Sequence, residues 1–297
     1  MPQYTDSSTG ITWNYTESGG NASIGTGSNS SATTLGADLS GAITIPSTIT
    51  DGGVTYNVTG IGEYAFYGCT GLTSIDLSGT QVTTIGSGTF RECSSLTSIT
   101  IPDSVTTIGS NAFYNCTSLT SIDLSGTQVT TIGSSAFYNC NQLTSITFPN
   151  SLTTIGLFAF ERCSSLTSID LPNSVETIGD FAFSNCTSLT SITIPDSVTS
   201  IGNSAFYNIG SPSTVFVKNV DPTDADTMTT LKNKMTGKIN GTVTYLDFDT
   251  PHTVTLSDIS CNENTPYTAT VSAIDNNGDS LTFDLSGADA ADFTLSG

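Results

Sequence analysis

The chain has 297 residues, of which 36% are hydrophobic, enough apolar material to bury a core, and only 11% are charged. Six Lys and Arg against 26 Asp and Glu leave a net charge of −20, which repels phosphate backbones and argues against a nucleic-acid role. No apolar run approaches the roughly 18 to 20 residues of a membrane-spanning helix, so no membrane span is expected.

At the N-terminus, "MPQYTDSSTG" lacks the basic start and apolar core of a signal peptide, which implies a removed leader or a fragment of a larger protein. Residues 1–40 read as a cap. Within them "GITWNYTESGGNASI" makes a strand and a turn, and Trp13 covers the open end of the core. "GAITIPSTIT", with Ile43 and Ile45, is a first coil, and "DGGVTYN" interrupts it before the pattern resumes at Ile61 and Gly62.

Residues 41–217 repeat. Cys69, Cys93, Cys116, Cys140, Cys163 and Cys186 are separated by steps of 24, 23, 24, 23 and 23, the signature of a solenoid whose units bury their faces against neighbours. A glycine row (Gly62, Gly86, Gly109, Gly133, Gly156, Gly179, Gly202) is expected to supply backbone freedom at a tight bend. Four residues on runs a phenylalanine row (Phe66, Phe90, Phe113, Phe137, Phe160, Phe183, Phe206), expected to stack as an internal spine. In "LTSITIPDSVTTIGSNAFYNC", Ile99 and Ile101 alternate with polar residues as in a strand, and Pro102 opens a turn. A short extended piece follows. "AFYNC" is read as a helical turn on the opposite side, so each coil is strand, turn, extended piece, helical turn.

This repeat resembles the BspA-like leucine-rich repeats of bacterial surface proteins. The resemblance implies a gently curved right-handed solenoid of about eight coils, with a parallel sheet along its inner face and short helical turns behind it. It also implies a role outside the cell, in adhesion or ligand binding.

After the last repeat, residues 218–246 read as a C-terminal cap, a helix in "DPTDADTMTTLKNKMTG" and a closing strand in "GTVTYLDF". The cap holds all four lysines, Lys218, Lys232, Lys234 and Lys238, too few for membrane binding. Residues 247–297 alternate apolar and polar residues around "DNNGD" and read as a truncated all-β segment of three or four antiparallel strands. Their "ENTPYTATVSAIDNNGDSLTFDLSG" resembles the opening half of a cadherin-like β-sandwich module, which implies calcium ligands at Glu263, Asp275, Asn277 and Asp279. Nine Asp or Glu with no Lys or Arg in this segment suit a hard cation. Calcium is the one cofactor the sequence suggests.

Among candidate sites, the cysteine row is read as buried free thiols, because in-register side chains run parallel and no His or C-x-x-C accompanies them; Cys261 stands apart. The outward strand positions give two further rows. One is Ser74, Ser98, Ser121, Ser145, Ser168 and Ser191; the other alternates Asp76, Thr100, Asp123, Thr147, Asp170 and Thr193, between Thr44 and Phe216. They suit a hydrogen-bonding face for a host or neighbouring-cell protein or glycan, and equally a plain solvated face. Tyr67, Tyr114, Tyr138 and Tyr207, with Phe158 and Phe181, are expected on the opposite side, packed between neighbouring turns. His252 is the sole histidine and lies in a linker, so no catalytic site is expected. The expected protein is a monomeric, non-catalytic adhesin repeat region at the cell surface or secreted. The alternatives are ice binding and a calcium-stiffened spacer.

Overall fold

The computed structural model describes residues 2–7, 9–25, 39–195 and 197–210, together with the backbone of four later strands. One apolar core runs through it from Trp13 to Ile209.

Two parallel sheets and a wall of turns enclose this core. The first sheet is built from the "TSIT" and "TSID" strands. It has three parts: Ser40–Thr44, Gly71–Asp76 and Ser98–Thr100; then Ser121–Asp123 and Ser145–Thr147; then Ser168–Asp170, Ser191–Ile194, Ser213–Lys218 and Gly241–Leu246. Val215 and Val217 pair in register with Ile192 and Ile194, so the expected final strand and closing strand are both present. The sheet lapses before Ser121 and again before Ser168. Its most exposed inward side chains among the described residues, Ile99, Ile101, Ile146, Phe148 and Ile169, all lie in or directly after strands that border a lapse.

The second sheet has no lapse. Thr84–Ile85, Thr107–Ile108, Thr131–Ile132, Thr154–Ile155, Thr177–Ile178 and Ser200–Ile201 form six parallel strands of two residues each. Each isoleucine is buried and each hydroxyl residue faces away from the core. These are the short extended pieces of the sequence reading, and hydrogen bonding between coils makes them a sheet that carries the stack across the lapses of the first.

Where the sequence suggested helical turns, the described residues contain no helix. Parallel strands repeat at about 4.8 Å and helices pack about 8 to 10 Å apart, so a helix in every coil would splay the stack on that side, whereas direct backbone bonds between turns hold it closed. The "SNAFYNC" segment forms consecutive tight turns instead. Ala112, Tyr114 and Cys116 donate their N–H groups to carbonyls three residues back, at Gly109, Asn111 and Phe113. The alternate N–H groups, those of Asn111, Phe113 and Asn115, donate to Ser134, Ala136 and Tyr138 of the next coil at 2.7 to 2.9 Å. This alternation requires left-handed backbone at Asn111 (φ 56°) and Asn115 (φ 59°), which ends any helix.

The glycine row has a different cause from the one expected. Gly109 and its successors have no positive φ; a Cβ on Gly109 would stand 2.8 Å from the carbonyl carbon of Gly86, and one on Gly156 would stand 2.8 Å from the carbonyl oxygen of Ile132. Close approach of adjacent coils excludes a side chain here.

Phe66, Phe90, Phe113, Phe137, Phe160, Phe183 and Phe206 stack in sequence with ring centroids 5.1 to 5.7 Å apart. All are buried. At the N-terminal end, Thr12–Ser18 and Asn21–Ile24 form a hairpin whose second strand runs parallel to Val54–Ile61, while Thr48–Asp51 pairs antiparallel to that same strand. Trp13 and Tyr15 lie fully in the core as expected of a cap, and the Tyr15 hydroxyl donates to Asp51 at 2.7 Å. The expected helix between 218 and 241 lies outside the described residues. Of the C-terminal segment, Thr253–Leu256 and Val271–Ile274 are described and pair antiparallel.

Replacing Phe113 with Ala opens a cavity between two stacked rings, and denaturant melts should show a loss of about 3 to 5 kcal/mol. A loss near zero would mean that the ring row bears no packing load.

Candidate functional site

The first sheet brings the two outward rows into register. Ser74 pairs with Ser98, Ser121 with Ser145, and Ser168 with Ser191; beside them Asp76 pairs with Thr100, Asp123 with Thr147, and Asp170 with Thr193. All are exposed or half-exposed, and none belongs to the core.

The three aspartates are not equivalent. Asp76 Oδ1 accepts the Ser78 N–H and Asp123 Oδ1 accepts the Ser125 N–H, both at 2.9 Å, so each closes the turn that leaves its strand. At Asp170 the residue two places on is Pro172, which has no N–H to give. Its carboxylate takes no hydrogen bond among the described residues, which leaves it available to a ligand. The sequence carried this signal in "DLSG" against "DLPN".

Behind the sheets, the six repeat cysteines are free and buried, as read from the sequence. From Cys93 to Cys186 each thiol donates to the carbonyl of the phenylalanine one coil back, with Sγ to oxygen distances of 3.0 to 3.2 Å. Burial pushes the Cys116, Cys140 and Cys163 thiols up, and that of Cys186 to about 12, so they stay protonated and unreactive at neutral pH. No group of three or more His, Cys, Asp or Glu able to hold a metal occurs among the described residues. Glu263, Asp275, Asn277 and Asp279 lie outside them, as do His252 and Cys261.

The turn side carries its own rows. Tyr114 and Tyr138 stack at 4.7 Å; the Arg91 guanidinium lies 4.7 Å from the Tyr114 ring and 5.8 Å from Tyr67, and Arg162 lies 5.7 Å from Tyr138. The aromatics thus pack between neighbouring turns as expected; Arg91 takes a place in the tyrosine row, and Arg162 reaches Tyr138 from the left-handed position that Asn115 and Asn139 fill, placements that the sequence does not announce. The Tyr67 hydroxyl donates to Glu92, which holds that phenol above its usual range. Beside the tyrosines, Asn139 donates to Asn115 at 2.9 Å and Asn208 to Asn185 at 2.8 Å. Left-handed backbone suits Asn and Gly, but in three coils the aromatic residues Tyr64, Phe158 and Phe181 adopt it at a cost of about 1 to 2 kcal/mol each.

A family model described as the BspA type leucine rich repeat region matches the chain in six copies, over residues 44–167, 125–224 and 153–264. The chain belongs to the BspA-type leucine-rich repeat family. Among solved structures, it is similar to a leucine-rich repeat protein of T. pallidum at 26% identity and a TM-score of 0.57, covering 77% of this chain and 94% of that one. A leucine-rich repeat protein of Bacteroides ovatus is 29% identical over 70% of this chain and 64% of that one, with a TM-score of 0.42. A leucine rich cell surface protein of Faecalibacterium prausnitzii is 25% identical over 73% of this chain and 76% of that one, with a TM-score of 0.44. No curated protein matches the chain. Among the described residues, no helix of this BspA-type protein is long and apolar enough to cross a membrane.

The Ser125 N–H, and after it the Ser125 side chain, hold the Asp123 carboxyl below its usual range. A carboxylate depressed in the folded state stabilises above its unfolded pKa, and that contribution is lost as pH falls through the folded value. The gap in melting midpoint between wild type and Asp123→Asn should therefore be present at pH 6 and close below about pH 4. A gap that stays constant from neutral to acid pH would show that the turn does not depend on the charge.

Proposed function

We propose that the chain is a non-catalytic interaction protein, the repeat region of a bacterial surface adhesin, which binds a host or neighbouring-cell protein or glycan across the face of its first sheet. The observation that carries this reading is the display itself. Register-paired Ser, Thr and Asp side chains stand outward on several neighbouring strands, and the Asp170 carboxylate has no hydrogen-bond partner among the described residues. A rigid array of hydroxyls and a free carboxylate can match many donors and acceptors on a ligand without having to be ordered on binding. Membership of the BspA-type family supports a place at the bacterial cell surface.

Ice binding draws less support, because carboxylates interrupt the hydroxyl rows of the first sheet. It is better suited to the second sheet, where Thr84, Thr107, Thr131, Thr154, Thr177 and Ser200 form one uncharged row.

A glycan and host-protein array probed with the chain, with and without calcium, supplies the ligand. Changing Thr147, Asp170 and Thr193 together to Lys should then abolish binding while circular dichroism stays native, since these side chains support no core contact. This set spares the turn that Asp123 closes. The same triple change at Thr84, Thr107 and Thr131 of the second sheet should leave affinity nearly unaltered; the opposite pattern would move the site off the first sheet.

A further inference from the structure

Two coils on the turn side differ from their neighbours. Phe158 (φ 57°) and Phe181 (φ 54°) occupy a left-handed position that Gly88, Asn111, Ser135 and Ser204 fill in other coils; Tyr64 (φ 55°) holds it in the first repeat, but only Phe158 and Phe181 set rings there in adjacent coils. Their rings stack on each other at 5.2 Å, half-buried and outside the core. Leu157, just before the first ring, is 40% exposed. Because Ser135 and Ser204 stand at this place in the flanking coils, no third ring extends the pair on either side. Bulky rings have been placed where the backbone disfavours them, with no contribution to the core in return, and strain of this kind points to a use at the surface.

The neighbouring row shows what such a stack accepts. There the Arg91 guanidinium takes a place between Tyr67 and Tyr114, so the spacing of the coils admits a guanidinium where a ring would otherwise stand. The charges beside the phenylalanines favour a cation. Glu161 and Arg162, 4.0 Å apart, offset each other; Asp180, whose Oδ1 accepts the Asn203 N–H at 2.6 Å, leaves the patch acidic within a chain of net charge −20.

We propose that Leu157, Phe158 and Phe181 form a docking surface for an arginine-bearing peptide segment of a partner protein. One guanidinium of the partner continues the Phe158–Phe181 stack, and an apolar side chain next to it covers Leu157. Long-range attraction to the acidic chain speeds the encounter, and the rings select Arg over Lys. This surface lies on the turn side and is independent of the first-sheet reading.

The test measures fluorescence anisotropy of a labelled short peptide of repeating Gly-Arg-Leu against the whole chain, with Gly-Lys-Leu and Gly-Glu-Leu versions beside it. Phe158→Ser with Phe181→Ser installs the residue the flanking coils use, so the melting midpoint should hold or rise while binding of the Arg peptide weakens by about tenfold. Should that double variant unfold, Leu157→Ser, at an exposed position, carries the same test. Thr147→Ala with Thr193→Ala on the first sheet should leave peptide binding unchanged. The proposal is overturned if the wild type does not bind the Arg peptide, if the Lys peptide binds as tightly, or if the ring variants bind within about twofold of wild type. It is likewise overturned if only the first-sheet variant loses binding.

Discussion

Hydrogen bonding between parallel strands fixes the coils of this protein about 4.8 Å apart, and every other feature has to fit that spacing. A residue at one place in a coil meets its equivalents above and below, so rows of identical side chains follow. Phenylalanine rings stack with centroids 5.1 to 5.7 Å apart, close to the coil repeat. Glycines stand where backbone meets backbone, and thiols fill the remaining gap while donating to the coil before. Backbone bonds between turns hold the far side at the same spacing, which leaves no room there for a helix in each coil. The chain closes each coil with turns whose left-handed residues free alternate N–H groups for the next coil, so backbone bonds between coils run around the stack, through both sheets and the turn wall.

The inward rows were legible because they depend only on counting. A fixed period and strand alternation place Ile99, Phe113 and Cys116 without knowledge of any neighbour. What failed depended on partners about 23 residues away. "AFYNC" read alone looks like a helical turn, since nothing local reveals that the Phe113 N–H is taken by Ala136 of the next coil. "TI" is too short to announce a strand, yet six copies in register make the longest unbroken sheet among the described residues. The glycine row is plain in the sequence but its cause is not, because a tight bend and a close approach leave the same mark there. On the candidate face, the positions of the aspartates could be read. Their inequivalence required linking Asp123 to an N–H at Ser125 and Asp170 to a proline at 172.

These constraints also shape what the surface can do. A coil held by backbone bonds on its sheet and turn sides presents its outward residues at positions fixed by the stack, and the low content of charged residues leaves hydroxyls and amides as most of the polar groups on offer. Faces of different chemistry result from one repeat: serines with alternating threonine and aspartate on the first sheet, threonines on the second, and aromatic, amide and guanidinium rows on the turns. The second sheet and the turn ladder continue across the two lapses in the first sheet and keep the coils stacked there.

The ladder of backbone bonds between turns holds the coils together on the side away from the sheets, and it can be observed directly. Scalar coupling across hydrogen bonds in isotope-labelled protein should connect the Phe113 nitrogen with the carbonyl carbon of Ala136, and the Asn115 nitrogen with that of Tyr138. Coupling of those nitrogens to carbonyls four residues back in their own coil would mean that the turn side is helical after all, and the spacing argument would be wrong.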